Sequence, residues 1–234
     1  PEGAARLRFI RSYSASLSPQ LMSDLEAAFG APVLEAYGMT EAAHQMASNP
    51  LPPSARKAGS VGPNTGTTEI GIMDAEGSLL KSGDRGEVVI RGANVITGYE
   101  NNPEANASSF TAGWFRTGDQ GYLDAEGYLL LTGRLKEMIN RGGEKISPRE
   151  IDEVLLGHPA VAEAVAFGTS HPTWGEEVAA VVVLGGEASE ADLLAYCKER
   201  MAEFKRPKQI HITTTIPRTA TGKIQRRKVA EVFS

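Results

Sequence analysis

Near the carboxyl end, Thr219-Ala220-Thr221-Gly222-Lys223 sets a lysine after a loop of small residues. Such an ammonium can swing onto an anion and offset negative charge that develops at phosphorus. The loop is not a P-loop, because Pro217 stands where the first glycine belongs and Ile224, not Ser or Thr, follows Lys223. Taken alone, it also fits a solvated loop lysine. Tyr37-Gly38-Met39-Thr40-Glu41 ends a strand pattern with an aromatic ring, a flexible glycine, a hydroxyl and a carboxylate. These suit a nucleotide: a ring to stack on a base, a hydroxyl for a phosphate oxygen and a hard oxygen ligand for magnesium. A core tyrosine at a strand end is the plainer alternative. In Thr117-Gly118-Asp119, a carboxylate behind a tight turn could accept both ribose hydroxyls or simply serve the turn.

The elements that must position these groups alternate between strand and helix in the first stretch. A strand is expected over 7–12, a helix from Pro19 and another strand over 32–37. Ser18 suits the N-cap and Pro19 the first helical position, with Leu21, Met22, Leu25 and Phe29 at helical spacing before Gly30. Over 59–134, short β-branched runs at 68–73, 86–91 and 128–131 predict a β-subdomain. Two Asp-Ala-Glu-Gly turns, at 74–77 and 124–127, punctuate it. From Lys136 a second domain is expected, with strands at 137–140, 161–167, 177–184 and 209–214 and helices from Ser147, over 190–204 and after Gly222. Ser147, Pro148 and Glu150 suggest a capped helix start with a capping-box partner. The fold class is therefore α/β and α+β: an α/β piece plus β-subdomain over 1–135, then a small α+β sandwich in the order βαββαβ over 136–234.

At 234 residues, 41% hydrophobic and 23% charged with a net charge of −5, the chain can build a core and lacks the basic excess of nucleic-acid or membrane-surface binders. It has no apolar run of about eighteen residues that would suggest a membrane span. The single cysteine, Cys197, cannot form an internal disulfide and is expected to be a buried small apolar residue on a helix. A reducing, cytoplasmic setting fits. His158, His171 and His211 lack paired metal-ligand spacing and read as structural. Arg226, Arg227 and Lys228 read as a solvated face of the last helix, or as a hold for phosphates. Trp114-Phe115 reads as packing behind Asp119.

Five motifs occur in a fixed order: residues 37–41, 113–119, 133–137, 141–145 and 217–223. Together they resemble the adenylate-forming acyl-CoA synthetase family, over nearly the whole chain. The resemblance implies that Tyr37 stacks on adenine with Gly38 beside it, Thr40 meets phosphate and Glu41 ligates magnesium. It implies Asp119 and Arg134 as a ribose clamp and Lys136 as the hinge of the small domain. Lys223 would bridge substrate carboxylate and α-phosphate, and Gly142-Gly143 would let the pantetheine arm of CoA pass where a Cβ would narrow the channel. ATP (or AMP), Mg2+ and CoA are the implied ligands, and a carboxylic acid becomes acyl-AMP and then a thioester. Residues 39–52, with His44, look most like oxalate-CoA ligases; an imidazole suits the distal carboxylate of a small diacid such as oxalate.

The family's Ser/Thr/Gly-rich phosphate loop ending in Pro-Lys-Gly does not occur in these 234 residues. The chain alone is therefore expected to be inactive and to need an amino-terminal part of the same enzyme as partner. Leu7, Phe9, Leu34 and Met46 are expected to line an exposed seam against that part, or against a second copy in a homodimer. A second class remains open: a non-catalytic module that binds nucleotide, CoA or a partner protein. A third would deliver the acyl group to a carrier-protein thiol.

Overall fold

The computed structural model describes residues 7–13, 17–220 and 222–234. Pro1–Arg6 and Thr221 of the lysine loop lie outside the described residues. The chain divides into two compact units, Pro1–Leu131 and Thr132–Ser234.

The first unit opens with β1 (Ile10–Ser12), α1 (Pro19–Phe29), β2 (Val33–Met39) and β3 (His44–Ser48). Ser18 Oγ accepts from Leu21 N, Pro19 starts α1, and Gly30 ends it at φ 62°, where a Cβ would be strained. Met22 is the residue of α1 that is fully buried, whereas Leu21 faces out. In the sheet β1-β2-β3, β1 runs parallel to β2 and β3 antiparallel to it. The second sheet contains β4 (Glu69–Met73), β5 (Gly86–Arg91), β6 (Phe110–Thr111), β7 (Trp114–Leu123) and β8 (Leu129–Arg134), with α2 (Pro103–Ser109) before β6. Both Asp-Ala-Glu-Gly turns close alike: the aspartate side chain accepts the N–H four residues on, and Gly77 and Gly127 take φ 91° and 81°.

The expected seam is corrected at two positions. Leu34 is 1% and Met46 0% exposed. Met46 packs with Tyr37, Ala47, Val61, Ile72, Val88, Ile90, Phe115 and Leu129 in the core joining the two sheets. A homodimer or a partner cannot use these two side chains, because both are already buried within this unit. Of the four, Leu7 is exposed and Phe9 is half-buried.

The second unit holds β9 (Ile139–Arg141), β10 (Glu144–Ile146), α3 (Pro148–Leu156), β11 (Val161–His171), β12 (Gly175–Leu184), α4 (Glu190–Arg200), β13 (Gln209–Thr213) and α5 (Arg226–Phe233). Its order is ββαββαβα: the last helix is as expected, but one strand is added to the expected βαββαβ, because Gly142 (φ 59°) and Gly143 (φ 94°) turn the chain back on itself to form the hairpin β9–β10. Alternate strand residues divide between two layers. Ala164, Ala166, Ala180 and Val182 meet Ile151 and Leu155 of α3 and Leu193 and Cys197 of α4, whereas Val165, Phe167 and Val181 meet Val229 of α5. Ser147 precedes α3, but the expected capping box is absent. Its hydroxyl donates to the Thr132 carbonyl, and Glu150 pairs with Lys205 at 2.8 Å. The capping box of this unit is at α4, between Ser189 and Asp192. Helix α4 ends at Arg200, short of the expected 204, and a 3-10 turn covers Glu203–Lys205.

Cys197 is buried, as its composition class suggests, and burial pushes its thiol up to about 11 from an ordinary 9.0. A thiol raised in the folded state stabilises it below the unfolded value, and that contribution is lost as pH rises through the folded one. Native protein is expected to be inert to a thiol reagent at neutral pH and to lose stability from about pH 9 to about pH 11. Reagent titration and alkaline unfolding would check this; rapid labelling at pH 7 would refute the burial argument. Among the described residues, no helix is long and apolar enough to cross a membrane.

Candidate active site

Strand β2 carries the first cluster. Its buried stretch Val33–Tyr37 ends at Gly38-Met39, and Thr40–Ala42 then form a single 3-10 turn. Gly38 does not need the flexibility expected of it: its φ lies outside the left-handed region. The reason for glycine is close approach, since a Cβ there would sit 1.6 Å from the His44 carbonyl oxygen on β3. That contact exists because Ala43 (φ 49°) and His44 (φ 87°) turn back sharply through conformations that L side chains rarely adopt. Strain of this kind in non-glycine residues gathers at functional sites.

Tyr37 Oη donates to Asp119 Oδ2 at 2.5 Å, joining residues 82 apart in sequence. Asp119 is 7% exposed and does not follow a tight turn. It lies inside β7, where Gly118 (φ 73°) makes a bulge opposite a register shift between Glu87 and Val89. Glu87 holds this bulge: Oε1 accepts from Gly118 N at 2.9 Å and Oε2 from Arg116 Nε at 2.7 Å. Thr117 Oγ1 donates to the Val88 carbonyl and accepts from Asp119 N. Trp114 and Phe115 are buried at the start of the same strand, the packing role expected of them.

Thr40 is exposed, and Glu41 beside it is half-buried. Glu41 Oε1 accepts from Tyr99 Oη at 3.0 Å, and its carbonyl accepts from Ile96 N at 2.8 Å. Burial, and then the Glu41 carboxylate, push the Tyr99 phenol above its ordinary value, so it stays a donor. Asn106 clamps the Tyr99 backbone on both sides, accepting from its N–H at 2.6 Å and donating to its carbonyl at 2.9 Å. Glu87 and Tyr99 are contributors that the sequence reading missed. Neither stands within a motif of recognisable spacing; their partners are tens of residues away.

His44 is exposed and packs edge-on against Tyr13, ring centroids 4.6 Å apart. Tyr13 Oη and Arg11 Nη1 both donate to Gln45 Oε1, at 2.9 and 3.1 Å, which fixes the ring that the imidazole packs against. Among the described residues, no group of three or more His, Cys, Asp or Glu is gathered to hold a metal on protein ligands alone.

In the second unit, Arg134 ends β8, and Leu135–Glu137 form a 3-10 turn that buries none of its side chains, Lys136 included. Gly142 and Gly143 fill the β9–β10 turn. Their glycine requirement comes from the positive φ of both, and at Gly142 also from the Trp174 ring, 2.9 Å from where a Cβ would be. Nothing lies within 4 Å of a Cβ at Gly143. Lys223 is exposed on a closed turn: Thr219 N donates to the Lys223 carbonyl at 2.8 Å, and Lys223 N to Thr219 Oγ1 at 3.0 Å. Arg226 leaves the solvated face expected for it. Its side chain is 17% exposed and bonded to Asp152 and Glu137, whereas that of Arg227 is 92% exposed. The structure thus brings together Tyr37, Gly38, Thr40, Glu41, His44 and Asp119 in the first unit, and carries Arg134, Lys136, Gly142, Gly143 and Lys223 in the second.

Residues 2–100 match the family model for AMP-binding enzyme, and residues 150–223 match that for AMP-binding enzyme C-terminal domain. An oxalate–CoA ligase of Arabidopsis thaliana is 56% identical over 231 residues, covering 97% of this chain and 45% of that protein. An oxalate–CoA ligase of Saccharomyces cerevisiae is 52% identical over 238 residues, covering 100% of this chain and 44% of that protein. The chain spans less than half the length of these curated relatives. The crystal structure of ATP-bound MatB from Rhodopseudomonas palustris aligns with a TM-score of 0.92 at 35% identity, over 98% of this chain and 46% of that one.

Proposed function

Since the chain belongs to the AMP-binding enzyme family, we propose that it is the carboxyl-terminal part of an ATP-dependent acid-CoA ligase whose acid is oxalate. The observation that carries this reading is the Tyr37–Asp119 hydrogen bond beside the Thr40-Glu41 turn. It sets an aromatic ring against a carboxylate 82 residues away, with a hydroxyl and a further carboxylate three and four residues along the chain from the ring, which are group types that a nucleotide site uses. The oxalate–CoA ligases matched over nearly the full chain support the acid assigned.

In the first half-reaction, a carboxylate oxygen of the acid attacks the α-phosphorus of ATP, and the bond to pyrophosphate breaks. Tyr37 stacks on adenine with Gly38 beside it, and Asp119 and Arg134 bind the ribose hydroxyls. Thr40 donates to a phosphate oxygen, and Glu41, steadied by Tyr99, would hold magnesium, which would neutralise charge on the phosphates. Lys223 lies across the entering carboxylate and the α-phosphate, where two anions converge. In the second half-reaction, the small domain, residues 136–234, turns about Lys136 and brings the Gly142-Gly143 turn to the pantetheine arm. The CoA thiolate attacks the acyl carbon and AMP leaves. One hinge then serves two reactions in turn. His44 meets the distal carboxylate of the acid.

The test uses the intact polypeptide, with residues 1–234 joined to an amino-terminal half like that of its relatives. Oxalate-dependent exchange of label between pyrophosphate and ATP is expected. Nucleotide binding without exchange, for oxalate and other small diacids alike, would instead establish the non-catalytic module. His44→Ala is expected to raise the oxalate KM about 10- to 100-fold, the worth of one charge-assisted hydrogen bond, with ATP KM little changed. Unaltered oxalate kinetics would remove His44 from the acid site.

A further inference from the structure

Arg226, the first residue of α5, reaches back across the unit and holds three elements with one guanidinium. Its Nη2 donates to Asp152 Oδ2 on α3 at 2.8 Å, and its Nη1 donates to the Ala166 carbonyl on β11 at 2.6 Å. Its Nε donates to Glu137 Oε2 at 3.0 Å. Asp152 is itself fixed, because its Oδ1 accepts from Ala166 N at 2.5 Å. The planar fork therefore has a single orientation before Glu137 meets it, and little rotamer entropy remains to be lost when that bond forms.

The two ends of this arm are the informative part. Glu137 directly follows Lys136, on a 3-10 turn that contributes no buried side chain to any core and so gains no apolar anchorage. Arg226 stands three residues after Lys223, just beyond a turn closed by Thr219 and by the bridge Arg218–Ile224. Helix α5 is in turn seated by Val229 against Val165 and Phe167. A rotation that starts at one residue reaches a distant one only if the segment just after the pivot is fastened to the body that moves. A polar clamp is the fastening available where nothing apolar is buried.

We propose that Arg226 is a positioning residue that fastens the segment carrying Lys136 to the turn carrying Lys223, so that movement at the first is passed to the second. The inference rests on the ligase reading above, in which Lys136 is the pivot and Lys223 acts on the α-phosphate. It is distinct from a phosphate-binding role for the basic run, because the guanidinium is already committed to Asp152, Ala166 and Glu137.

Glu137→Gln in the intact protein tests it. Glu137 is exposed enough that a neutral amide strands no buried charge, and the buried Arg226–Asp152 pair is left in place. The thermal midpoint is expected to hold. Amide hydrogen exchange is expected to quicken in both 135–138 and 219–225, and the ratio of ATP–pyrophosphate exchange to thioester formation from supplied acyl-adenylate to shift about fivefold, on the scale of one exposed ion pair. Arg226→Lys, which keeps a charge beside Asp152 but loses the fork, is expected to act alike. The double variant should add nothing to either single change. Quickened exchange confined to 135–138, or both half-reactions falling by one common factor, would overturn the inference. If the unsubstituted protein showed no oxalate-dependent exchange, the ligase reading would fall and the hydrogen-exchange arm would decide the coupling by itself.

Discussion

Lys223→Ala in the intact protein is expected to lower oxalate-dependent ATP–pyrophosphate exchange by about 10²- to 10³-fold, the usual cost of removing one donor aimed at developing charge. The same variant should convert supplied oxalyl-adenylate and CoA to thioester at close to the unsubstituted rate, because in the proposed mechanism this lysine leaves the reacting atoms before the second half-reaction. The loss cannot be blamed on folding. Lys223 is exposed and its turn is closed by backbone bonds and by Thr219, so truncation should change stability by no more than about 0.5 kcal/mol. Lys223→Arg is informative beside it: arginine keeps the charge but spreads it over a planar fork, and recovery should be partial at best. Equal losses in both half-reactions would contradict the role assigned to Lys223.

Gly38→Ala should be the most damaging single methyl in the first unit. The added Cβ would lie 1.6 Å from the His44 oxygen, 2.6 Å from its carbonyl carbon and 3.3 Å from Gln45 Cα. All three are backbone atoms, so no side chain can swing away and β2 and β3 must part where Met39 faces His44. A stability loss of about 3 kcal/mol or more is expected, at the upper end of overpacking costs. Nucleotide affinity should fall further than the remaining folded fraction explains, since Tyr37 and Thr40 flank the site. Gly113→Ala is the control: its φ of 81° strains an alanine, but nothing lies within 4 Å of the new methyl. It should cost only about 1–2 kcal/mol. Denaturant midpoints for the pair would separate close approach from conformational strain; equal values would show that the first explanation is wrong.

The positions where expectation and structure diverge have a common form. Gly38 and Asp119 read as candidate site residues, yet the reasons given for them, flexibility and a tight turn, are local. What holds them is a strand opposite: His44 across from Gly38, and Glu87 across from the Gly118 bulge. Arg226 reads as solvated because its neighbours Arg227 and Lys228 are charged. Its side chain is instead only 17% exposed and bonded to Asp152, 74 residues away. Leu34 and Met46 read as seam residues because both are apolar and lie near the start of the sequence, but both are buried within their own unit, Met46 in the core between its two sheets.

By itself, the amino-acid order determined where α1 begins and ends and where α3 begins, because caps, prolines and positive-φ glycines act within a few residues; it left α2 unmarked and carried α4 past Arg200. It likewise supplied the five ordered motifs on which the family resemblance rests, because each motif is contiguous. Tertiary structure decided which of these groups meet, why Gly38 and Gly142 admit no side chain, and which cation is a clamp and which is free to reach a substrate. Those properties depend on cross-strand register and on pairs of buried charges whose members lie tens of residues apart, and no short-range pattern records such distances.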